Sequence, residues 1–195
     1  YLISIHPFGD GNGRTSRGIE SYLLYKAGIN TRGFYSLANY YYKNRPEYID
    51  MLDHVRFITD PDLTPFVQFG LNGLLEELSM VHEQIIDAMK RISFRDYCRE
   101  ILDGIGRLNS KVGNRQLRLI SDLIDHGPTH RKDIMVSAQG VKSLYRGLTE
   151  KTLSRDISAL VELGLIEVND SVVHAKIDIM DRFTATSSPE PVMSH

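Results

Sequence analysis

Apolar residues in this chain of 195 residues recur mostly at helical spacing, and the period changes only towards the C-terminus. From Arg14, residues Ile19, Leu23 and Ala27 or Tyr22 share a stripe and Gly28 supplies a stop, which predicts a helix over Arg14–Ala27. A turn from Gly28 to Gly33 follows, then a helix over Tyr35–Lys43 and another over Pro46–Phe57, with Pro46 well suited to a first turn. Thr59-Asp60-Pro61-Asp62 reads as a loop. Thr64 has the character of a cap with Pro65 at the first helical position, and Phe66, Leu71, Leu74, Leu75, Leu78, Ile85, Ile86, Met89 and Ile92 then keep one stripe for many turns. That length predicts a long closing helix for a first domain. Ser93–Arg107 is expected to be a separate connecting helix, broken near Gly104 and Gly106.

A second module begins near Ser110. Leu117, Ile120, Leu123 and Ile124 mark an amphipathic helix that Gly127-Pro128 ends, and a short helix over Arg131–Ser137 follows. Thr149 to Leu163 reads as a capped helix stopped by Gly164, and Glu167 to Ile177 alternates as a two-stranded wing with Asn169-Asp170 at its turn. Three helices and a wing in this order resemble a winged helix-turn-helix, and Thr152 to Ile157 followed by Leu160 to Ile166 is similar to the recognition helix and wing start of bacterial regulators. The resemblance puts Lys151, Thr152, Ser154 and Arg155 near a major groove. Between Ser110 and Arg182 stand 11 Lys and Arg against 10 Asp and Glu, without the basic excess usual in a dedicated DNA binder. Protein interaction or homodimerisation through the same fold is therefore carried beside DNA binding. The stretch Thr184–His195, with Ser187-Ser188-Pro189-Glu190-Pro191, is expected to be a flexible tail. The expected organisation is a mainly helical first domain over residues 1–107, a small α+β winged-helix domain over 108–182 and a tail over 183–195.

Composition narrows the setting. With 42% hydrophobic and 25% charged residues the chain is globular, and a net charge of −2 offers no global attraction to nucleic acid. The single Cys98 excludes an intrachain disulfide and a cysteine-based metal cluster, as expected in a reducing cytoplasm. No apolar run approaches membrane-spanning length, so no membrane partner is expected.

The densest chemistry lies in His6-Pro7-Phe8-Gly9-Asp10-Gly11-Asn12-Gly13-Arg14-Thr15-Ser16-Arg17. Gly11, Asn12 and Gly13 can turn successive N–H groups towards one anion, and the following helix points its N-terminus at the same place. Arg14 and Arg17 share a face of the first turn and can clamp phosphate oxygens; as cations at the positive end of a helix they are unfavourably placed unless an anion is bound. Asp10 can hold Mg²⁺, which takes one or two carboxylates plus phosphate oxygens. His6, with an imidazole that ordinarily titrates near about 6.5, can take a proton from an incoming hydroxyl. Phe8 is expected to point into a core. A P-loop reading fails for want of a lysine, a dinucleotide fingerprint for want of a visible βαβ unit, and a calcium loop because its fifth and twelfth positions are Arg14 and Ser21.

These residues resemble the signature of the Fic (filamentation induced by cAMP) family, His-Pro-Phe-x-Asp/Glu-Gly-Asn-Gly-Arg-x-x-Arg, at every position. The resemblance implies an all-helical Fic-type first domain and transfer of AMP from ATP to a Ser, Thr or Tyr hydroxyl of a target protein. It implies His6 as general base, Asp10 as Mg²⁺ ligand, Gly11, Asn12 and Gly13 as the nest for the α and β phosphates, and Arg14 and Arg17 on the outer phosphates. Gly13 is similar to the nucleotidyl-transfer branch, since the Doc branch carries lysine there. Arg45-Pro46-Glu47-Tyr48-Ile49-Asp50-Met51-Leu52 resembles the family's Arg-x-x-Tyr-Tyr-x-x-Leu segment, which implies that Tyr48 walls the adenine site; Ile49 departs from the pattern. The run Tyr40-Tyr41-Tyr42 is read by default as ordinary packing. In the family, helices and a β-hairpin flap precede the signature, so the sequence is expected to be part of a longer chain. No inhibitory Ser/Thr-x-x-x-Glu-Gly/Asn motif follows the signature.

Two functions from different classes follow. A protein adenylyltransferase requires Mg²⁺ and ATP and depends on His6, although UTP, GTP or another diphosphate-linked donor also suits the phosphate site. A nucleotide-sensing winged-helix transcriptional regulator predicts salt-dependent, sequence-selective DNA binding that responds to ATP and survives His6→Ala.

Overall fold

The structure, a computed structural model, describes residues 2–33, 36–57, 62–136, 145 and 147–184. The chain divides into two compact units, Tyr1–Ile85 and Ile86–His195. The first contains α1 (Leu2–Ile5), α2 (Asn12–Lys26), α3 (Leu37–Lys43), α4 (Arg45–Phe57) and the start of α5 (Thr64–Gly104). The second takes the rest of α5, α6 (Lys111–His126), β1 (Thr129–His130), α7 (Arg131–Val136), α8 (Glu150–Glu162), β2 (Ile166–Asn169), β3 (Val172–Ala175), a 3-10 turn over Ile177–Met180 and α9 (Asp181–Thr184). A mainly helical fold with a small α+β part at its end matches the sequence reading. Tyr35, Thr59 to Pro61, Ser137 and the tail after Thr184 lie outside the described residues.

In the first unit Leu37, Tyr40, Tyr41 and Phe69 form a buried cluster, with Leu24, Tyr48 and Leu74 packed on it. Gly73 permits the close approach of α3 to α5, since a Cβ there would stand 2.3 Å from the Tyr40 Cδ1. The α2 stripe does not close over the core as its spacing suggests: Ile19, Tyr22 and Leu23 are exposed.

Helix α5 corrects the sequence reading. Its 41 residues run unbroken where two helices were expected to meet near Ile92. Neither glycine nor proline interrupts the stretch from Ser93 to Asp103, and the apolar stripe passes to Phe94, Cys98 and Leu102, all fully buried. The expected break near Gly106 is present: its φ of 68° lets the Arg107 N–H reach the Leu102 carbonyl at 2.8 Å and its own N–H reach Asp103 at 2.8 Å. At the other end the Asp62 carboxylate accepts the Thr64 N–H at 2.9 Å, so Asp62 does the capping expected of Thr64.

In the second unit Ser110 caps α6, its hydroxyl oxygen accepting the Gly113 N–H at 2.9 Å. Helices α6, α7 and α8 and a hairpin follow in the expected order. The sheet runs β1-β3-β2, antiparallel throughout. The two-residue β1 is too short to show a period and was not anticipated. The hairpin turns at Asp170-Ser171, one residue later than expected, with φ of 50° and 68° at the two positions, as a type I′ turn requires. A core from Phe94 and Cys98 through Leu119, Ile120, Leu123, Leu153, Leu160 and Val173 joins α5, α6, α8 and the sheet. Within it Asp156, almost fully buried, accepts hydrogen bonds from Arg115 Nε at 2.6 Å, Arg115 Nη2 at 3.1 Å and the Tyr145 hydroxyl at 3.0 Å. Among the described residues, no helix is long and apolar enough to cross a membrane.

Candidate functional site

The site is built where α1 stops. His6 closes that helix, its N–H bonded to the Leu2 carbonyl at 3.2 Å, with a φ of 50° that side-chain-bearing residues seldom adopt. Its Nδ1 lies 3.3 Å from the Ile3 carbonyl oxygen. A carbonyl only accepts, so a hydrogen bond here places a proton on Nδ1, and in the neutral ring the lone pair is then on Nε2.

Asn12 then shapes the loop. Its buried side chain accepts the Phe8 N–H at 3.0 Å and donates to the Phe8 carbonyl at 2.5 Å, holding the two peptide groups that flank Phe8. Phe8 itself corrects an expectation: its ring is exposed. Position 8 is held by its backbone, through Asn12. Gly11, with φ of 85°, is the cap residue of α2 and accepts the first helical bond from Thr15 at 2.9 Å. Gly11 has no side chain to cap α2, so among the described residues the first N–H groups of that helix keep their capacity for an anion.

The charged groups gather round this terminus. Asp10 accepts the Gly11 N–H at 2.6 Å and pairs with Arg14 at 3.0 Å; both side chains are largely in solvent, where such a pair contributes little and is readily exchanged. The Arg17 guanidinium folds against Gly13, where an added Cβ would stand 3.1 Å from Nη1. His6, Asp10, Gly11, Asn12, Gly13, Arg14 and Arg17 all line one depression of about 300 Å³.

A larger pocket of about 660 Å³ shares His6, Gly13 and Arg17 with that depression and extends along α3 and α4. Tyr41, Tyr42, Arg45, Tyr48, Ile49 and Leu52 wall it. Tyr48 stacks on Tyr41, with ring centroids 4.6 Å apart and planes 12° from parallel. Ordinary packing describes Tyr40 and Tyr41, which are buried, but Tyr42 is 82% exposed at the pocket. Ile49 adds an aliphatic wall where the signature would carry a second tyrosine. In the sequence the Arg45–Leu52 segment was read with a site role for Tyr48 alone, although Arg45, Tyr48, Ile49 and Leu52 share one helical face by spacing.

Glu20 is the other residue that sequence reasoning missed. The Tyr41 hydroxyl donates to its Oε1 at 2.8 Å. Burial raises the Glu20 carboxyl above its ordinary range, opposed by the Tyr41 hydrogen bond and by Arg17. The Tyr48 phenol is raised by burial and by Glu20, and lowered by Arg17. Arg17, Glu20 and Tyr48 thus act on one another electrostatically, and Arg17 of the three lines both pockets.

On α8, Lys151 and Arg155 are exposed one turn apart. The other two candidates are engaged internally: Ser154 donates to the Glu150 carbonyl at 2.8 Å and accepts from Arg131, and the Thr152 hydroxyl pairs with that of Thr149 at 3.1 Å. Among the described residues, no three His, Cys, Asp or Glu side chains converge as a metal cluster.

No family model matches the chain. Over 68 residues it is 40% identical to the protein adenylyltransferase Fic of Aedes aegypti, and to the same degree to that of Culex quinquefasciatus. The match covers 35% of this chain and 12% of each relative. This local likeness supports a relationship to the Fic family. The chain spans a small share of the relatives' length.

Proposed function

We propose that this chain belongs to a protein adenylyltransferase of the Fic type, with Mg²⁺-ATP lying along the two connected pockets. The observation that carries this reading is the sharing of His6, Gly13 and Arg17 between an anion-suited depression and an aromatic pocket. One end suits phosphates and the other a base, with the histidine between them.

In this reading the N–H groups at the start of α2 and the guanidinium groups of Arg14 and Arg17 hold the phosphates, and Tyr48 lies against adenine. Nε2 of His6 takes the proton from a Ser, Thr or Tyr hydroxyl of the target. The freed oxygen bonds to the α-phosphorus, the bond from that phosphorus to the bridging oxygen breaks, and pyrophosphate leaves with the electron pair. Asp10 suits a divalent ion, since its exposed carboxylate retains lone pairs beyond the Gly11 and Arg14 contacts. Mg²⁺ held there supplies neutralisation of phosphate charge. Lys151 and Arg155 offer a contact for a partner, protein or DNA, that the second unit recruits.

Incubation with Mg²⁺ and ATP labelled at the α-phosphate, in the presence of hydroxyl-bearing target proteins, should move label onto protein and release pyrophosphate. His6→Ala should abolish transfer while ATP still binds. Label arriving from the γ-phosphate, or transfer that survives His6→Ala, would overturn the reading.

A further inference from the structure

We infer that Glu20 is a positioning residue of the nucleotide site: by accepting the Tyr41 hydroxyl it sets the ring stack that walls the aromatic pocket and ties that wall to the helix carrying Arg17. The inference rests on the nucleotide reading above.

Three rings lie nearly parallel in sequence across the first unit. Tyr48 stacks on Tyr41 at 4.6 Å and 12°, and Tyr41 on Phe69 at 6.0 Å and 13°. Offset stacking tolerates sliding and in-plane rotation of a ring, so it does not by itself fix where the pocket wall stands. A directional bond does. Tyr41 is the middle ring, and its hydroxyl is held by Glu20 at 2.8 Å. Glu20 stands three residues after Arg17 on α2, so the acceptor that orients Tyr41 and a guanidinium lining both pockets share one helix face. The bond therefore links the phosphate end and the aromatic end of the site across α2 and α3.

The test compares ATP with tripolyphosphate, which has the anion but no base, on the full chain. Glu20→Ala and Tyr41→Phe should each weaken ATP binding and raise its KM by about tenfold, as loss of one hydrogen bond implies, with kcat changed less than about twofold. Tripolyphosphate affinity should stay as it is. Glu20→Gln keeps an acceptor and should restore most of the ATP affinity. Tyr41→Phe keeps the ring and carries the test if Glu20→Ala does not fold. Unchanged ATP binding in Tyr41→Phe, equal losses for ATP and tripolyphosphate, or a Glu20→Gln as impaired as Glu20→Ala would each overturn the inference while leaving the nucleotide reading standing. A wild-type chain that binds tripolyphosphate as tightly as ATP would overturn both.

Discussion

Asn12 does by hydrogen bonding what a loop of small residues cannot do by packing. Both of its side-chain groups are used on the backbone N–H and carbonyl of Phe8, and its own burial keeps them from water. Asn12→Ala should lower the stability of the first unit by about 1–2 kcal/mol, since two modest hydrogen bonds are lost at once, and should weaken ATP binding as the loop opens. Urea unfolding and calorimetric titration of the same sample read the two effects. Cys98 is a contrasting case, a residue inert because it is enclosed. Burial pushes its thiol from 9.0 up to about 12. The unfolded chain loses this proton near 9.0 while the folded chain holds it, so the thiol's contribution is whole below that pH and is lost as pH rises towards about 12. Stability should therefore fall less steeply between pH 8 and 10.5 in Cys98→Ala than in the wild type, a difference in slope that urea midpoints at several pH values would reveal.

At the scale of elements, Gly73 decides how near α3 comes to α5. Alanine would favour the helix by about 1 kcal/mol, but its Cβ would fall within 2.3 Å of a buried ring. The clash should dominate: Gly73→Ala is expected to cost about 1–3 kcal/mol net and to disturb the tyrosine cluster, visible in the melting temperature and near-ultraviolet dichroism. Much of the element order was legible in the sequence, because helical spacing and glycine stops are local signals. Gly106 and Gly164 both end helices where the pattern says they should. The continuity of α5 was missed because its stripe changes partners at Phe94, which looks like an ending when only spacing is seen. The site divided along the same line. Residues 6–17 are contiguous and could be read directly, whereas Glu20, Tyr41 and the α4 face come together only through tertiary packing. Asp156 was hidden for the same reason, its partners Arg115 and Tyr145 lying 41 and 11 residues away.

Across the whole molecule the two units differ in how much they bury. Among the described residues the second joins a broad apolar core to the Arg115–Asp156–Tyr145 network, whereas the buried cluster of the first is Leu37, Tyr40, Tyr41 and Phe69. Ile19, Tyr22, Leu23, Leu71 and Leu75 stay exposed in that first unit. Hydrophobic stabilisation scales with the apolar area removed from water, so the first unit should unfold at the lower temperature and calorimetry of the chain should resolve two transitions. A single transition that dichroism and fluorescence report alike would contradict this. The small cluster beside the two pockets bears on how a ligand would act on stability. A ligand that binds only the folded form adds about 2.7 kcal/mol at a hundred times its dissociation constant, which is large against so small a core. Mg²⁺-ATP should raise the lower transition and leave the upper one in place. If the proposed nucleotide site is occupied in this way, the surrounding nucleotide concentration would set the fraction of molecules whose first unit is folded, and with it how long the protein survives.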